Sequence, residues 1–242
     1  LSKGYEVHGT SRDAEIAEFS SLKRLDIKHK ITFHSVALND FKSTLKVLKE
    51  VVPEEIYNLA GQSSVGLSFE QPLATLESIA NATVNILEAI KFIDCNCKFY
   101  NASSSECFGD TEGKPAHENT PFRPKSPYGV AKASAYWQVA NYRESYGLFA
   151  CSGIMFNHES ILRPSRFVTR KICQSAANIA LGRQNCLQLG DLTIKRDWGW
   201  APEYVQAMWL MLQQQDPDDY VVGTGKTYSI KYFVENWRAS KR

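Results

Sequence analysis

Hydrophobic and polar positions along the chain alternate between two periods. Short runs with strand character occur at Tyr5–Gly9, Ile31–Val36, Glu55–Ala60, Lys98–Ala102 and Phe149–Phe156. Longer stretches with helical spacing lie between them. Asp40–Val52 reads as a helix with Asp40 as its N-cap. Thr75–Phe92 reads as a helix carrying Ile79, Val84, Ile86, Leu87 and Ile90 on its apolar positions, and Phe167–Leu181 as another. A polar, proline-bearing loop covers Asp110–Lys125; Ser126 then caps a long helix to about Tyr146, with Pro127 suited to its first position. Strands separated by helices predict a doubly wound α/β fold, a parallel sheet joined by right-handed crossovers. Beyond about Asn157 the alternation loosens. That predicts a first domain over residues 1–156 and a smaller C-terminal lobe over residues 157–242, interleaved with it. Such sheets bind ligands outside the carboxyl ends of their strands. The segments to examine are therefore Thr10-Ser11-Arg12, Gly61-Gln62-Ser63, Ser103–Glu106 and Asn157-His158-Glu159.

Composition narrows the classes. The 242 residues carry 28 Lys+Arg against 26 Asp+Glu, a net charge of +2, which is no footprint for nucleic acid or an anionic membrane. No apolar run reaches the ~18 residues a membrane span needs. Leu1–Glu6 lacks the basic start and apolar core of a signal peptide. Cys95, Cys97, Cys107, Cys151, Cys173 and Cys186 form no paired CxxC clusters, so they read as thiols of a reducing cytoplasm and not as zinc ligands. Asn81-Ala82-Thr83 and Asn101-Ala102-Ser103 match the glycosylation sequon, which carries little meaning without a secretion signal.

Two constellations could carry chemistry. Tyr128 and Lys132 stand at i and i+4 of a helix and share a face. An ammonium beside a phenol stabilises the phenolate and makes a base usable near neutrality. An isolated YxxxK is more often an exposed pair or a packed tyrosine; here it opens a helix downstream of a serine-rich strand end. Ser103-Ser104-Ser105-Glu106 offers three hydroxyls and a carboxylate, and its plain reading is a serine-rich turn with Glu106 in water. Gly223-Thr224-Gly225-Lys226-Thr227 imitates the end of a P-loop, but Tyr220 stands where the earlier glycine belongs. His158-Glu159 is no zinc motif, because Leu162 stands at the second histidine position. Trp198, Trp200 and Trp209 invite a base-stacking role; core packing is the better expectation for most of them.

Ser103–Glu106 followed by Tyr128-xxx-Lys132 resembles the extended short-chain dehydrogenase/reductase family. Four further segments sharpen the likeness: Asn141-Tyr142-Arg143-Glu144-Ser145-Tyr146-Gly147, Phe156-Asn157-His158-Glu159-Ser160, Phe167-Val168-Thr169-Arg170-Lys171-Ile172 and Arg196-Asp197-Trp198-Gly199. With them, the chain from about Gly4 to Glu235 is similar to the GDP-mannose 4,6-dehydratases. The resemblance implies a Rossmann-like domain binding NADP and a lobe mainly binding GDP-mannose. It also implies a cytoplasmic homodimer or homotetramer, with no metal, nucleic acid or membrane partner. The reaction it implies withdraws a hydride from C4 of the mannose, removes the C5 proton, expels water from C6 and returns the hydride to C6. Tyr128 would be the base at the 4-hydroxyl, and Lys132 would tune it and hold the nicotinamide ribose. Glu106 would take the C5 proton and help the 6-hydroxyl leave, while Ser104 would hydrogen-bond the oxygen at C4. Arg12 stands where arginine accommodates the 2′-phosphate of NADP, although Asp13 beside it is a departure; a solvated strand-end arginine is the alternative. Leu38, Leu59, Ala60, Gly61, Gln62, Ser63, His158 and Arg163 match further cofactor positions. Asn157, Val168, Lys171 and Arg196 match positions around the GDP, where cations suit a diphosphate.

Other departures accompany the likeness. The family has Thr at Ser104, an acid at Ala37, and Pro-Arg-Arg where this chain has Ile161-Leu162-Arg163. Leu1 aligns with the end of the family's first helix and the family continues past Arg242, so its glycine-rich loop and C-terminal end are expected outside this sequence. The rival readings are another sugar-nucleotide reductase or epimerase and a catalytically incomplete structural relative. Glu106 discriminates between the enzyme readings, because a simple reductase needs no base at C5.

Overall fold

The computed structural model describes residues 1–237; residues 238–242, the end of the predicted lobe, lie outside the described residues. The chain divides into two compact units: Leu1–Ile154 with Met208–Tyr220, and Met155–Ala207 with the segment from Val221 onward. In chain order the elements are β1 (Val7–Ser11), α1 (Ser20–Arg24), β2 (Ile31–Ser35), α2 (Phe41–Val51), β3 (Glu55–Asn58), α3 (Val65–Glu70), α4 (Pro72–Leu76), α5 (Ala82–Ile93), β4 (Lys98–Ser104), α6 (Pro127–Tyr146), β5 (Ala150–Met155), β6 (Asn157–Glu159), α7 (Val168–Ala180), β7 (Lys195–Trp200), α8 (Ala201–Leu212), β8 (Tyr220–Val222), β9 (Thr227–Ser229) and α9 (Ile230–Trp237).

The caps read from the sequence organise the helices. Asp40 accepts from the amides of Lys42 and Ser43 at 3.1 and 3.2 Å and starts α2. Ser126 accepts from the Gly129 amide at 3.0 Å, Pro127 follows at the first helical position, and Gly147 ends α6 in the left-handed conformation. Four expectations shift, one of them the third strand, which ends at Asn58 and not at Ala60. The first strand runs Val7–Ser11, two residues later than predicted, because Val7 pairs with Ile31 while the Tyr5 hydroxyl turns away to Glu55. The fourth extends to Ser104, two residues past Ala102. The predicted Thr75–Phe92 helix begins at Pro72 and is interrupted by a π-helical turn, Glu77–Asn81, between α4 and α5.

β1–β2 and β3–β4 are parallel, as the helical crossovers dictate. The strands do not form one sheet: β1–β2 is a pair of its own beside a sheet in the order β3-β4-β5-β8. Ile86, Leu87 and Ile90 of α5, Phe99 of β4, Val139 of α6 and Ala150 of β5 form the main core of the first unit. Arg143 of α6 clamps the returning segment. Its guanidinium holds Asp219 bidentately at 2.7 and 3.1 Å and donates to Ala150 O at 2.8 Å, while Asp219 also accepts from Ser152 N at 2.8 Å.

The second unit is built on β6-β7-β9, with β6–β7 parallel and β7–β9 antiparallel. Asp197 of β7 is buried, and its carboxylate accepts from the amides of Thr224 and Gly225, both at 2.9 Å, and from Thr224 Oγ1 at 2.7 Å. Amides of the P-loop-like turn are thus taken by a protein carboxylate. Trp198 packs on Phe233 with ring centroids 5.6 Å apart, and Trp209, in the first unit, donates to Tyr5 Oη at 3.1 Å; Trp200 is 49% exposed. Among the described residues no helix is long and apolar enough to cross a membrane.

Candidate active site

Three pieces of the first unit meet around Tyr128. β4 delivers Ser103 and Ser104, both buried, at its carboxyl end. Ser104 Oγ accepts from Glu106 N at 3.2 Å and so starts a 3₁₀ turn over Ser105–Cys107. A hydroxyl that accepts one bond keeps its own proton to donate. α6 brings Tyr128 in its first turn and Lys132 one turn later. Gly129 lets this helix approach: a Cβ there would stand 2.8 Å from Glu106 O and 3.0 Å from Pro124 Cβ. Cys107 Sγ fills the junction, 3.6 Å from Ser103 Oγ and 3.9 Å from Gly129 O. Ser104, Glu106 and Tyr128 are therefore brought together by main chain meeting main chain.

Lys132 Nζ donates to Ala102 O at 2.7 Å and lies 5.9 Å from the centre of the Tyr128 ring. It is buried, and burial pushes its ammonium down to about 8. Burial pushes the Cys107 thiol up, which keeps it protonated.

The π-helical turn supports both halves of the site. Its Ile79 packs with Ala131, Ala135 and Tyr128. On another side it meets Gly61, at φ +116°, where a Cβ would lie 2.7 Å from Ile79 Cγ1 and 3.0 Å from Ser78 O. Gln62 N donates to Ser78 Oγ at 3.2 Å. Leu59, Ala60, Gly61 and Ser63 are exposed beyond the end of β3. The Gln62 side chain turns inward, donating to Ser64 O at 2.8 Å and Thr75 Oγ1 at 3.2 Å. Arg12 is exposed immediately after β1. Leu38 packs partly on the main core, and its carbonyl accepts from Asn85 Nδ2 at 2.8 Å.

The remaining predicted residues lie in the second unit. Asn157 opens β6 opposite Trp198. His158 Nδ1 donates to Phe156 O at 2.9 Å while its ring stacks on Tyr204 at 4.8 Å. Arg163 is engaged within the chain, with Nε 3.2 Å from Glu159 Oε2 and its guanidinium 3.7 Å over the Phe167 ring. Val168 opens α7, Lys171 Nζ donates to Gln188 O at 2.8 Å, and Arg196 is exposed on β7.

A sequence profile of the GDP-mannose 4,6-dehydratases matches residues 1–240. The chain belongs to the GDP-mannose 4,6-dehydratase family. A family member from Vibrio cholerae is 46% identical over 253 residues, which cover 100% of this chain and 66% of that protein, so the chain spans just under two thirds of the relative's length. Among solved structures, the Thermus thermophilus UDP-glucose 4-epimerase in complex with NAD superposes with a TM-score of 0.84 at 25% identity, covering 100% of this chain and 78% of the epimerase. RMD from Pseudomonas aeruginosa, in complex with NADPH, gives 0.78 at 26% identity, covering 85% of this chain and 73% of its own. The fold is thus Rossmann-like, of the extended short-chain dehydrogenase/reductase kind.

Sequence reasoning missed four residues that shape the candidate site: Ser78, Ile79, Cys107 and Gly129. Gly129 carried a signal, a glycine inside an otherwise good helix. The others carried none, because their importance comes from the π-helical turn and from the 3₁₀ turn after β4.

Proposed function

We propose that the protein is an NADP-dependent GDP-mannose 4,6-dehydratase of the cytoplasm, making GDP-4-keto-6-deoxy-mannose. The observation that supports this reading is the close main-chain approach of the Ser104–Glu106 turn to the first turn of α6, the turn that carries Tyr128 ahead of the buried Lys132. The residues present fit a nicotinamide dinucleotide. Lys132 spends one donor on Ala102 O and keeps two for ribose hydroxyls, Leu59 and Ala60 offer exposed apolar surface after β3, and Arg12 offers a cation for the 2′-phosphate. RMD, bound to NADPH, and the epimerase, bound to NAD, support a nicotinamide cofactor. What such a cofactor supplies when bound is reversible storage of one hydride, so the sugar undergoes no net oxidation.

The chain's own groups do the proton work. Tyr128 takes the proton of the 4-hydroxyl as C4 becomes a ketone, and Ser104 donates a hydrogen bond to that oxygen. The ketone acidifies the C5–H bond, and the Glu106 carboxylate takes that proton. The same proton passes to the 6-hydroxyl, which leaves as water. Lys132 stabilises the phenolate electrostatically. In the second unit, Arg196 and Lys171 supply positive charge for the GDP.

Incubation with GDP-mannose and detection of the 4-keto-6-deoxy product tests the reading. Glu106→Gln keeps the shape and removes the base, so its product formation should fall by at least the roughly hundredfold typical of a lost acid–base group. Wild-type product formation by Glu106→Gln refutes the assignment; oxidation of NADPH by the wild type with a 4-keto sugar nucleotide, without water loss from GDP-mannose, would favour a reductase.

Phe69 and Leu73 are 62% and 75% exposed on α3 and α4, helices that pack against α6, on which Val130 and Trp137 are 50% and 61% exposed. Exposed large apolar side chains on these neighbouring helices suit a self-complementary contact, and we assign them to a second copy of the chain. Sedimentation of Leu73→Asp should show a loss of the wild-type dimer. The six free thiols are consistent with a reducing compartment.

A further inference from the structure

The turn between α5 and β4 carries two thiols that the proposed mechanism leaves unused. Asp94 ends α5 in the left-handed conformation, and Cys95 N donates to Ile90 O at 3.4 Å. At the other end of the turn Lys98 N donates to Glu54 O at 2.8 Å, and β4 begins. The Cys95-Asn96-Cys97 segment is thus fastened on both sides by main-chain hydrogen bonds. Cys97 is 4% exposed and belongs to the main core of the first unit, and the half-buried Cys95 packs against that same core. Cys95 Sγ donates to Pro53 O at 3.5 Å, and a side-chain hydrogen bond joins the two thiols. Neither is in a disulfide. Burial pushes the Cys97 thiol up, and the hydrogen bond with Cys95 acts in the same direction, so Cys97 stays protonated at neutral pH.

Two neighbouring thiols, one open to solvent and one held protonated, match one ligand chemistry closely: a thiophilic centre that carries two exchangeable oxygens. A zinc ion would need thiolates and further protein donors, and among the described residues no group of three or more His, Cys, Asp or Glu side chains suits a metal. A trivalent arsenical needs neither. Each As–S bond forms as an As–O bond breaks, and the thiol proton departs with that oxygen as water. Two thiols replace two hydroxyls, arsenic stays trivalent, and no oxidant takes part. The soft sulfur donors suit the soft arsenic centre.

We propose that Cys95 and Cys97 form a dithiol clamp for trivalent arsenicals, with Cys95 capturing the arsenic from solvent and Cys97 closing the chelate. The clamp lies at the start of β4, whose other end carries Ser103 and Ser104, so it is separate from the candidate active site.

Incubation of the folded protein with phenylarsine oxide in excess mercaptoethanol, followed by intact-mass spectrometry, tests the clamp. One phenylarsenic group per chain should be retained, because a monothiol displaces a chelated arsenic poorly, and dimercaptopropanol should remove it. Cys95→Ser keeps a donor for Pro53 O but breaks the thiol pair, so the retained group should be lost. Cys97→Ala should lose it as well. Cys173→Ser/Cys186→Ser removes the other two thiols that are not buried and should retain it. Thermal midpoints matching the wild type show that the variants keep their fold; a lowered midpoint in Cys97→Ala, a core substitution, moves the decision to Cys95→Ser. Retention by Cys95→Ser equal to that of the wild type overturns the proposal, as does a wild type that keeps no arsenic in the monothiol. Turnover of GDP-mannose plays no part in these outcomes, so a failure of the dehydratase reading would be seen separately, as absence of the 4-keto product.

Discussion

Lys132 makes a prediction that needs no turnover assay. Its ammonium is buried among the first unit's core elements, and burial lowers it from the ordinary lysine value of 10.5 to about 8. The folded value lies below the unfolded one, so between about pH 8 and 10.5 the unfolded chain holds more protons than the folded chain. Stability contributed through this group therefore rises with pH across that window, and its burial penalty is present in full below pH 8. A drop of this size corresponds to a penalty of about 3 kcal/mol at neutral pH. Lys132→Met removes the penalty but leaves Ala102 O without its donor, at a cost of about 1–3 kcal/mol. The two effects nearly cancel at pH 7, so the variant's absolute stability there decides little. The pH dependence decides. Urea unfolding of both proteins under reducing conditions at pH 7 and pH 10 should show the wild type gaining roughly 2–3 kcal/mol relative to Lys132→Met. Tyr100, whose value burial raises, destabilises both proteins at alkaline pH and drops out of the difference; Cys107 is electrostatically coupled to Lys132, so both proteins carry Cys107→Ala in this comparison. Parallel stabilities of wild type and variant from pH 7 to pH 10 would refute the reasoning.

Tyr128→Phe keeps the ring on Ile79 and removes the proposed base, so it should bind NADP normally yet fail to reduce it in a single turnover with GDP-mannose followed by nicotinamide absorbance. Arg12→Ala should weaken NADP at least about tenfold more than NAD by calorimetry, the size of one lost charge-assisted contact; equal losses show that Arg12 does not read the 2′-phosphate. Asp219→Ala strands the Arg143 guanidinium in the first unit and should destabilise the fold by about 3–5 kcal/mol in urea, without selectively changing the KM for GDP-mannose.

Periodicity and caps carried most of the first unit. Asp40, Ser126, Pro127 and Gly147 act locally, and the structure uses each at the position where its chemistry predicts a cap or a first turn. The second unit was less legible because its strands are short. β6, β8 and β9 each span three residues, below the length at which alternation can be told from chance. The split between β1–β2 and the β3-β4-β5-β8 sheet is likewise invisible in a pattern that records strand character but not pairing. Within the candidate site, Tyr128, Lys132, Ser104 and Glu106 were readable as residue types at meaningful spacings. The π-helical turn was not, because it continues the apolar face of a helix without breaking it, and only the meeting of Ile79 with Gly61 and Tyr128 exposes its use.

That turn and Gly129 explain how one chain can carry a buried lysine and still hold the candidate site residues with small tolerance. Side-chain hydrogen bonds would have to compete with water and with the rotamer freedom of long side chains. Here the spacing between the Glu106 turn and α6 is set by a main-chain approach in which even one Cβ would stand 2.8 Å from a carbonyl oxygen. Such contacts are steep in distance and insensitive to pH or salt. The π-helical turn adds a second fixed support, holding the loop of Leu59–Ser63 and the Tyr128 ring on neighbouring residues, so that these two segments of the candidate site share one reference. Burying Lys132 then destabilises the fold by an amount the surrounding core can absorb. In exchange it fixes the Lys132 amine 5.9 Å from the centre of the Tyr128 ring.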